Sequence, residues 1–124
     1  MTGGTDGPGS LDSSPGRDRP DATVIQYELG ETAVVVARGE FDMNTSDPLT
    51  DVLHAAAREH SRVVLDAAGV TFADSLLLTL LLRVHRQTSL RVAAPSPQLR
   101  RVLELTGSDK VLDVRATVED ALVG

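Results

Sequence analysis

Residues 62–75 read Arg62-Val63-Val64-Leu65-Asp66-Ala67-Ala68-Gly69-Val70-Thr71-Phe72-Ala73-Asp74-Ser75, and they lead directly into the leucine-rich run Leu76-Leu77-Leu78. Val63 to Leu65 is a short, continuously apolar run, as expected of a strand covered on both faces. The segment then reaches an acid, turns through Gly69 and delivers an Asp-Ser pair to the start of a helix over residues 75–87. Backbone N–H groups are unpaired at a helix N-terminus, and the dipole there favours negative charge. A phosphate on Ser75 would change the local charge by about two units. The arrangement points to a modifiable residue rather than to a catalytic centre.

Outward from this stretch, strands and helices alternate. Val24, Tyr27 and Leu29 begin a strand expected at a sheet edge. Thr32 to Ala37 is apolar and β-branched, fitting a central strand that ends at Arg38-Gly39-Glu40. Thr45-Ser46-Asp47-Pro48 combines capping hydroxyls, an early acid and a first-turn proline, a strong helix start. Leu49, Val52, Leu53, Ala56 and Ala57 follow at helical spacing. In the helix from Ser75, Leu78, Leu81, Leu82 and His85 share one side, and Thr79, Arg83 and Arg86 the other. Leu76 is expected near solvent, beside a surface that Leu77 shares.

Leu90 to Ala94 is a further strand. Pro95-Ser96-Pro97 opens a helix with Leu99, Val102, Leu103 and Thr106 on one face and a stop at Gly107. Val111 to Val114 is expected as the last strand, and Thr117-Val118-Glu119-Asp120 starts a final helix with an acidic first turn. This order implies an α/β fold with a mixed or parallel sheet and helices packed against it.

Residues 1–20 hold five of the ten glycines and three of the six prolines, with Met1 and Leu11 the only large apolar side chains. Such a segment buries too little surface to offset its ordering entropy, so it is expected to be a disordered tail, leaving one domain over residues 21–124. The chain has no cysteine, which excludes disulfides and thiolate metal sites. His54, His60 and His85 show no ligand spacing, so no metal or cofactor is expected. Net charge is -6, with eleven arginines and one lysine spread thinly and only three aromatics, Tyr27, Phe41 and Phe72. Neither a basic footprint nor a stacking platform for nucleic acid is present. No run approaches the roughly 20 apolar residues of a bilayer span, and a cytoplasmic location is the default expectation. Ser75 lacks a base or an oxyanion-hole pattern that the sequence can justify, so no enzyme is expected.

Four local patterns, in order and at suitable separations, resemble the STAS domain family of bacterial anti-sigma factor antagonists across residues 24–122. Gly39-Glu40-Phe41-Asp42 with Thr45 is similar to the family's Gly-Glu-Leu-Asp turn. Val63-Val64-Leu65-Asp66 through Gly69-Val70-Thr71-Phe72 is similar to its central strand and approach loop. Asp74-Ser75 resembles the opening of its phosphorylation motif, Asp-Ser-Ser/Thr-Gly, with Leu76 and Leu77 replacing the last two residues. Pro95-Ser96-Pro97 and Arg101 to Gly107 resemble its third helix.

The resemblance implies a sheet of about four to five strands, mixed in direction. It also implies phosphorylation of Ser75 by an anti-sigma serine kinase with a histidine-kinase-like ATPase fold, and release of a sigma factor by the unmodified form. The implied partner surface comprises Asp42, Thr45, Asp74, Ser75, Leu76 and Leu77. Ser75 or Asp74 as a plain helix cap stays open at this point, with Asp42 and Asp66 as structural acids. Two further readings stay open as well: the adapter subunit of a lipid-trafficking ABC transporter, and a non-phosphorylated signalling scaffold.

Overall fold

A computed structural model describes residues 22–42 and 46–123. The expected tail, the domain boundary at residue 21 and Thr45 lie outside these residues. The elements run β1 (Thr23–Leu29), β2 (Thr32–Phe41), α1 (Asp47–Glu59), β3 (Arg62–Ala73), α2 (Ser75–Gln87), β4 (Ser89–Ala93), α3 (Pro97–Thr106), a short 3-10 turn (Ser108–Lys110), β5 (Asp113–Arg115) and α4 (Val118–Leu122). The five strands form one sheet in the order β1-β2-β3-β4-β5. β1 pairs antiparallel with β2, and every later pair is parallel. The sheet is therefore mixed, one of the two arrangements that the alternating pattern leaves open and the one that the resemblance implies.

β1 and β2 are joined by the two-residue loop Gly30-Glu31, with Gly30 at φ +63°. Glycine at the first central position is what a tight hairpin of this twist demands. The parallel crossovers all step in one direction across the sheet, and right-handed crossovers of that kind place their helices on the same face. The main core forms there. Ala33, Val35 and Phe41 of β2, Val63, Leu65 and Val70 of β3 and Val92 of β4 meet Leu49 and Leu53 of α1, Leu77 and Leu81 of α2, and Leu99 and Leu103 of α3. The second face is covered differently. Among the described residues, Val34, Val64 and Ala93 cluster with Ala121 of α4, with Val36, Val118 and Leu122 at the margin.

α4 has five residues, too few to dock on apolar area alone. The last carbonyls of a helix have no partner within it. Three arginines on neighbouring strands supply donors. Arg115 reaches the carbonyl of Asp120 at 2.9 Å, Arg62 that of Leu122 at 3.0 Å, and the buried Arg91 those of Ala121 at 2.9 Å and of Val123. Asp113 ties this group together, accepting from Arg115 at 2.6 Å and lying 3.5 Å from Arg91. The Arg115 hydrogen bond holds the Asp113 carboxyl below the usual carboxylate range.

Two expectations are corrected. Gly69 is not a turn, because β3 continues from Arg62 to Ala73 and keeps pairing with β2. The pairing passes from Val36↔Asp66 to Arg38↔Gly69, then from Gly39↔Val70 to Glu40↔Phe72, so β3 carries one extra residue at each step. These two bulges let the chain run on as a strand while changing which side chains face inward. Gly69 serves close approach: a Cβ there would lie 2.7 Å from Cγ of Arg38. The last strand begins at Asp113 instead of Val111, because the turn after Gly107 leaves Val111 exposed and pairing with β4 begins at Arg91↔Asp113.

Candidate functional site

The candidate site sits where β2 and β3 end. Phe41 pairs with Ala73 across the ladder, so Asp42 and Asp74, the next residues on each strand, emerge at the same edge of the sheet. In open α/β sheets, the carboxyl ends of parallel strands are where partners and ligands engage. Asp42 is half-buried, and its carbonyl accepts from the N–H of Ser46 at 3.0 Å, which leads the chain into α1.

Asp74 is the N-cap of α2. Its backbone is extended, and its carboxylate accepts from the N–H of Leu76 at 2.9 Å and of Leu77 at 3.4 Å. Of the two capping assignments the sequence leaves open, the structure takes Asp74 and not Ser75. Ser75 is the first helical residue and is exposed. Its hydroxyl makes no hydrogen bond with any described residue. Neighbouring hydroxyls are engaged: Thr79 donates to the carbonyl of Ser75 at 3.0 Å, and Thr50 to that of Ser46 at 3.0 Å.

The apolar rim of the site differs from the expected one. Leu76 is 48% exposed. Leu77 is 1% exposed and belongs to the main core, so the expectation that it shares the surface with Leu76 is corrected. The reason lies in helical spacing: Leu77 stands four residues before Leu81 and seven before Val84 and so falls on their side, toward the sheet, whereas Leu76 falls on the side of Thr79 and Arg83. The bulk of Leu77 is thus not presented to an approaching molecule. Leu82, expected in the core, is half-buried, and Leu80 is buried instead.

Phe72 is the residue that the sequence reading missed. It is 48% exposed, two positions before Asp74. Strict alternation from Val70 would turn it inward; the bulge between Val70 and Phe72 turns it out. A groove of about 240 Å³ continues the surface between α1 and α2, lined by Ser46, Asp47, Thr50, His54, Leu76 and Arg83 among others. His54 is oriented at its far end by Gln87, Nδ1 to Oε1 at 3.0 Å. Helical periodicity on α1 and α2 separately carries no sign of this groove, since it exists only where the two helices meet.

Asp66 accepts from the N–H of Ala68 at 3.2 Å, a local strand contact apart from the site. No helix among the described residues is long and apolar enough to cross a membrane.

The architecture is that of a five-stranded mixed sheet with helices packed on it, and comparison with known proteins gives its family. Residues 26–116 match the family model described as "Mlab, STAS domain", so the chain belongs to the STAS domain family. It is similar to the anti-sigma-F factor antagonist RsfB of Mycobacterium tuberculosis, 29% identical over 111 residues, covering 85% of this chain and 91% of that protein. Among solved structures it resembles an anti-sigma factor antagonist from Mycobacterium paratuberculosis, with a TM-score of 0.77 and 29% identity over 90% of this chain and 96% of the other. The fold is also that of the Bacillus cell fate determinant SpoIIAA. Its unphosphorylated form gives a TM-score of 0.68 over 81% of this chain and 93% of the other, and its phosphorylated form 0.63 over 81% and 96%, each at 21% identity.

Proposed function

We propose that this protein is an anti-sigma factor antagonist, switched by phosphorylation of Ser75. In its unmodified form it binds an anti-sigma serine kinase of the histidine-kinase-like ATPase type in the cytoplasm and so frees a sigma factor for transcription. Its role is regulatory rather than catalytic. The observation that carries this reading is the unspent Ser75 hydroxyl at the first position of α2. It is exposed and relieved of capping by Asp74, and the half-exposed Phe72 and Leu76 stand close to it in sequence. The likeness to RsfB, itself an anti-sigma-F factor antagonist, supports the partner class.

The geometry gives the switch a physical basis. Unmodified Ser75 lets a partner close over Phe72, Leu76 and the mouth of the groove, burying apolar area with only a neutral hydroxyl to desolvate. A phosphate at Ser75 adds about two negative charges beside the Asp74 carboxylate. Those charges would have to leave water against the partner, a penalty larger than an ordinary contact contributes. Asp42 and Thr45 complete the proposed contact loop. Replacement of the motif glycine by Leu77 does not obstruct the approach, because that side chain is in the core.

The test is capture from the native host with the Ser75→Ala protein as bait, followed by affinity measurement with the recovered partner. The expected partner is a small ATP-binding anti-sigma kinase that phosphorylates the parent at Ser75. Its affinity for Ser75→Asp should be at least about tenfold weaker, a difference of about 1.4 kcal/mol. Recovery of a transporter ATPase would move the chain to the adapter reading. Equal binding of Ser75→Asp and parent would remove the switch.

A further inference from the structure

β1 is the end strand of the sheet, and its outer edge faces no other described element. In a hairpin with a two-residue loop, the residues flanking the loop form a hydrogen-bonded pair, and such pairs alternate along the ladder. Leu29↔Thr32 is that first pair, so Leu29, Tyr27 and Ile25 direct their N–H and C=O groups toward β2. Val24, Gln26 and Glu28 direct theirs outward, and those backbone groups have no partner among the described residues.

Among the described residues the usual protections of an edge are missing. β1 has no proline or lysine, and it pairs with β2 without a register shift. Its only charge, Glu28, is already engaged by His60 at 3.0 Å. On the face away from α1, Ile25, Tyr27 and Leu29 are 54%, 43% and 48% exposed, forming an apolar strip that α4 does not reach.

We propose that this edge joins two copies of the chain, β1 pairing antiparallel with β1 of a second copy about a two-fold axis through Gln26. The choice of register follows from the strand itself. The three outward-facing residues are symmetric about Gln26, so Gln26 pairs with its own counterpart, and Val24 with Glu28 of the second copy. All three are hydrogen-bonded pairs, and every outward backbone group of Val24, Gln26 and Glu28 gains a partner. Ile25 then lies opposite Tyr27 of the second copy, twice, at the closer non-hydrogen-bonded positions where a β-branched side chain and an aromatic ring pair well. No like charges face each other. A two-fold axis through Glu28 would oppose two carboxylates, and one through Tyr27 would pair Gln26 with Glu28 twice but leave the outward groups of Val24 without a partner on the second β1. The product is a continuous ten-stranded sheet. Its interface falls below the roughly 1,200 Å² of a standard specific complex, so association is weak, on the order of tens of micromolar.

Sedimentation of the full chain from about 1 μM to about 1 mM, a range bracketing weak association, tests this. The expected mass rises from 13.1 kDa toward twice that value. Gln26→Pro removes a donor at the two-fold axis, yet its N–H does not point at β2, so the hairpin keeps its ladder. This variant should stay monomeric throughout with an unchanged circular-dichroism spectrum. The chain has no cysteine, so Gln26→Cys places a single thiol on the axis, within disulfide reach of its counterpart at the roughly 5.5 Å Cα separation of such a pair. Mild oxidation should give a covalent dimer, whereas Glu104→Cys on α3 should give at least about tenfold less, the control for random collision. A parent that stays monomeric to about 1 mM overturns the proposal and leaves the edge to a different chain. So does a dimer that Gln26→Pro does not weaken, or equal cross-linking of the two cysteine variants. Should Gln26→Pro fail to fold, the cysteine pair decides alone.

Discussion

At the start of α2, a single carboxylate satisfies the N–H groups of Leu76 and Leu77 and leaves the adjacent Ser75 hydroxyl without a partner among the described residues. At the end of α4, three arginines converge on the carbonyls of Asp120, Ala121, Leu122 and Val123. Both are helix termini with orphaned backbone groups, yet they are satisfied to different degrees. α2 is thirteen residues long and holds its place through Leu77, Leu78, Leu80, Leu81 and Val84, so its terminus needs only a cap. α4 has one turn and one fully buried side chain, Ala121, so polar ties supply what apolar area does not. Where packing already fixes an element, a polar group beside it is left over for chemistry. Where packing is thin, polar groups are consumed by structure.

Substitutions can break this contrast or sharpen it. Leu81→Ala, in the wall of the main core, should have the largest effect, lowering unfolding free energy by about 2–5 kcal/mol in chemical denaturation. A loss below about 1 kcal/mol would mean that packing does not anchor α2. Arg91→Met removes the donor to the carbonyls of Ala121 and Val123, at and just past the end of α4, and should cost about 1–3 kcal/mol. Hydrogen exchange should quicken over residues 118–123 far more than in α2; uniform loss of protection would place Arg91 in the general core instead. Asp74→Ala should cost about 0.5–2 kcal/mol, with Asp74→Asn restoring most of it, since either side chain caps well.

The α4 tie also has a pH signature. The Asp113 carboxyl is held below its unfolded value by Arg115. Its stabilising effect is therefore fully present above the unfolded value of about 3.9 and is lost as pH falls through the lower folded value. Asp113→Asn should flatten that acid limb in a pH series of thermal melts; an unchanged limb would show that the pair contributes nothing measurable. The smallest stability effect belongs to Ser75→Ala, within about 0.5 kcal/mol of the parent, because the hydroxyl holds nothing in place. A larger loss would make Ser75 structural and narrow the contrast between the two helix ends.

The order of elements was legible in the chain because each carries its own periodicity and punctuation. The Ser46-Asp47-Pro48 start, the Gly107 stop and the apolar run Val63 to Leu65 are local signals, and the elements they mark occur where expected. Asp74 and Ser75 were legible as a helix start for the same reason. The two bulges of β3 were not, since a bulge is settled by which residues the neighbouring strand offers for pairing. With the bulges went the exposure of Phe72, the role of Gly69 and the true length of β3. Leu77 was grouped with its neighbour Leu76, although its spacing of four residues from Leu81 and seven from Val84 puts it on the face that packs against the sheet.

The sequence by itself determined the mixed α/β order, the Asp-Ser helix start and the resemblance to the STAS domain family, because these rest on residues close together in the chain. Tertiary structure alone decided that Asp74 rather than Ser75 caps α2, that Phe72 and Leu76 are exposed while Leu77 is buried, and that the groove forms between α1 and α2. It also decided that Arg62, Arg91 and Arg115, far apart in the chain, close over the end of α4. Each of these depends on contacts between elements distant in sequence, and such contacts are set by strand register and helix phase, where a shift of one residue exchanges inside for outside.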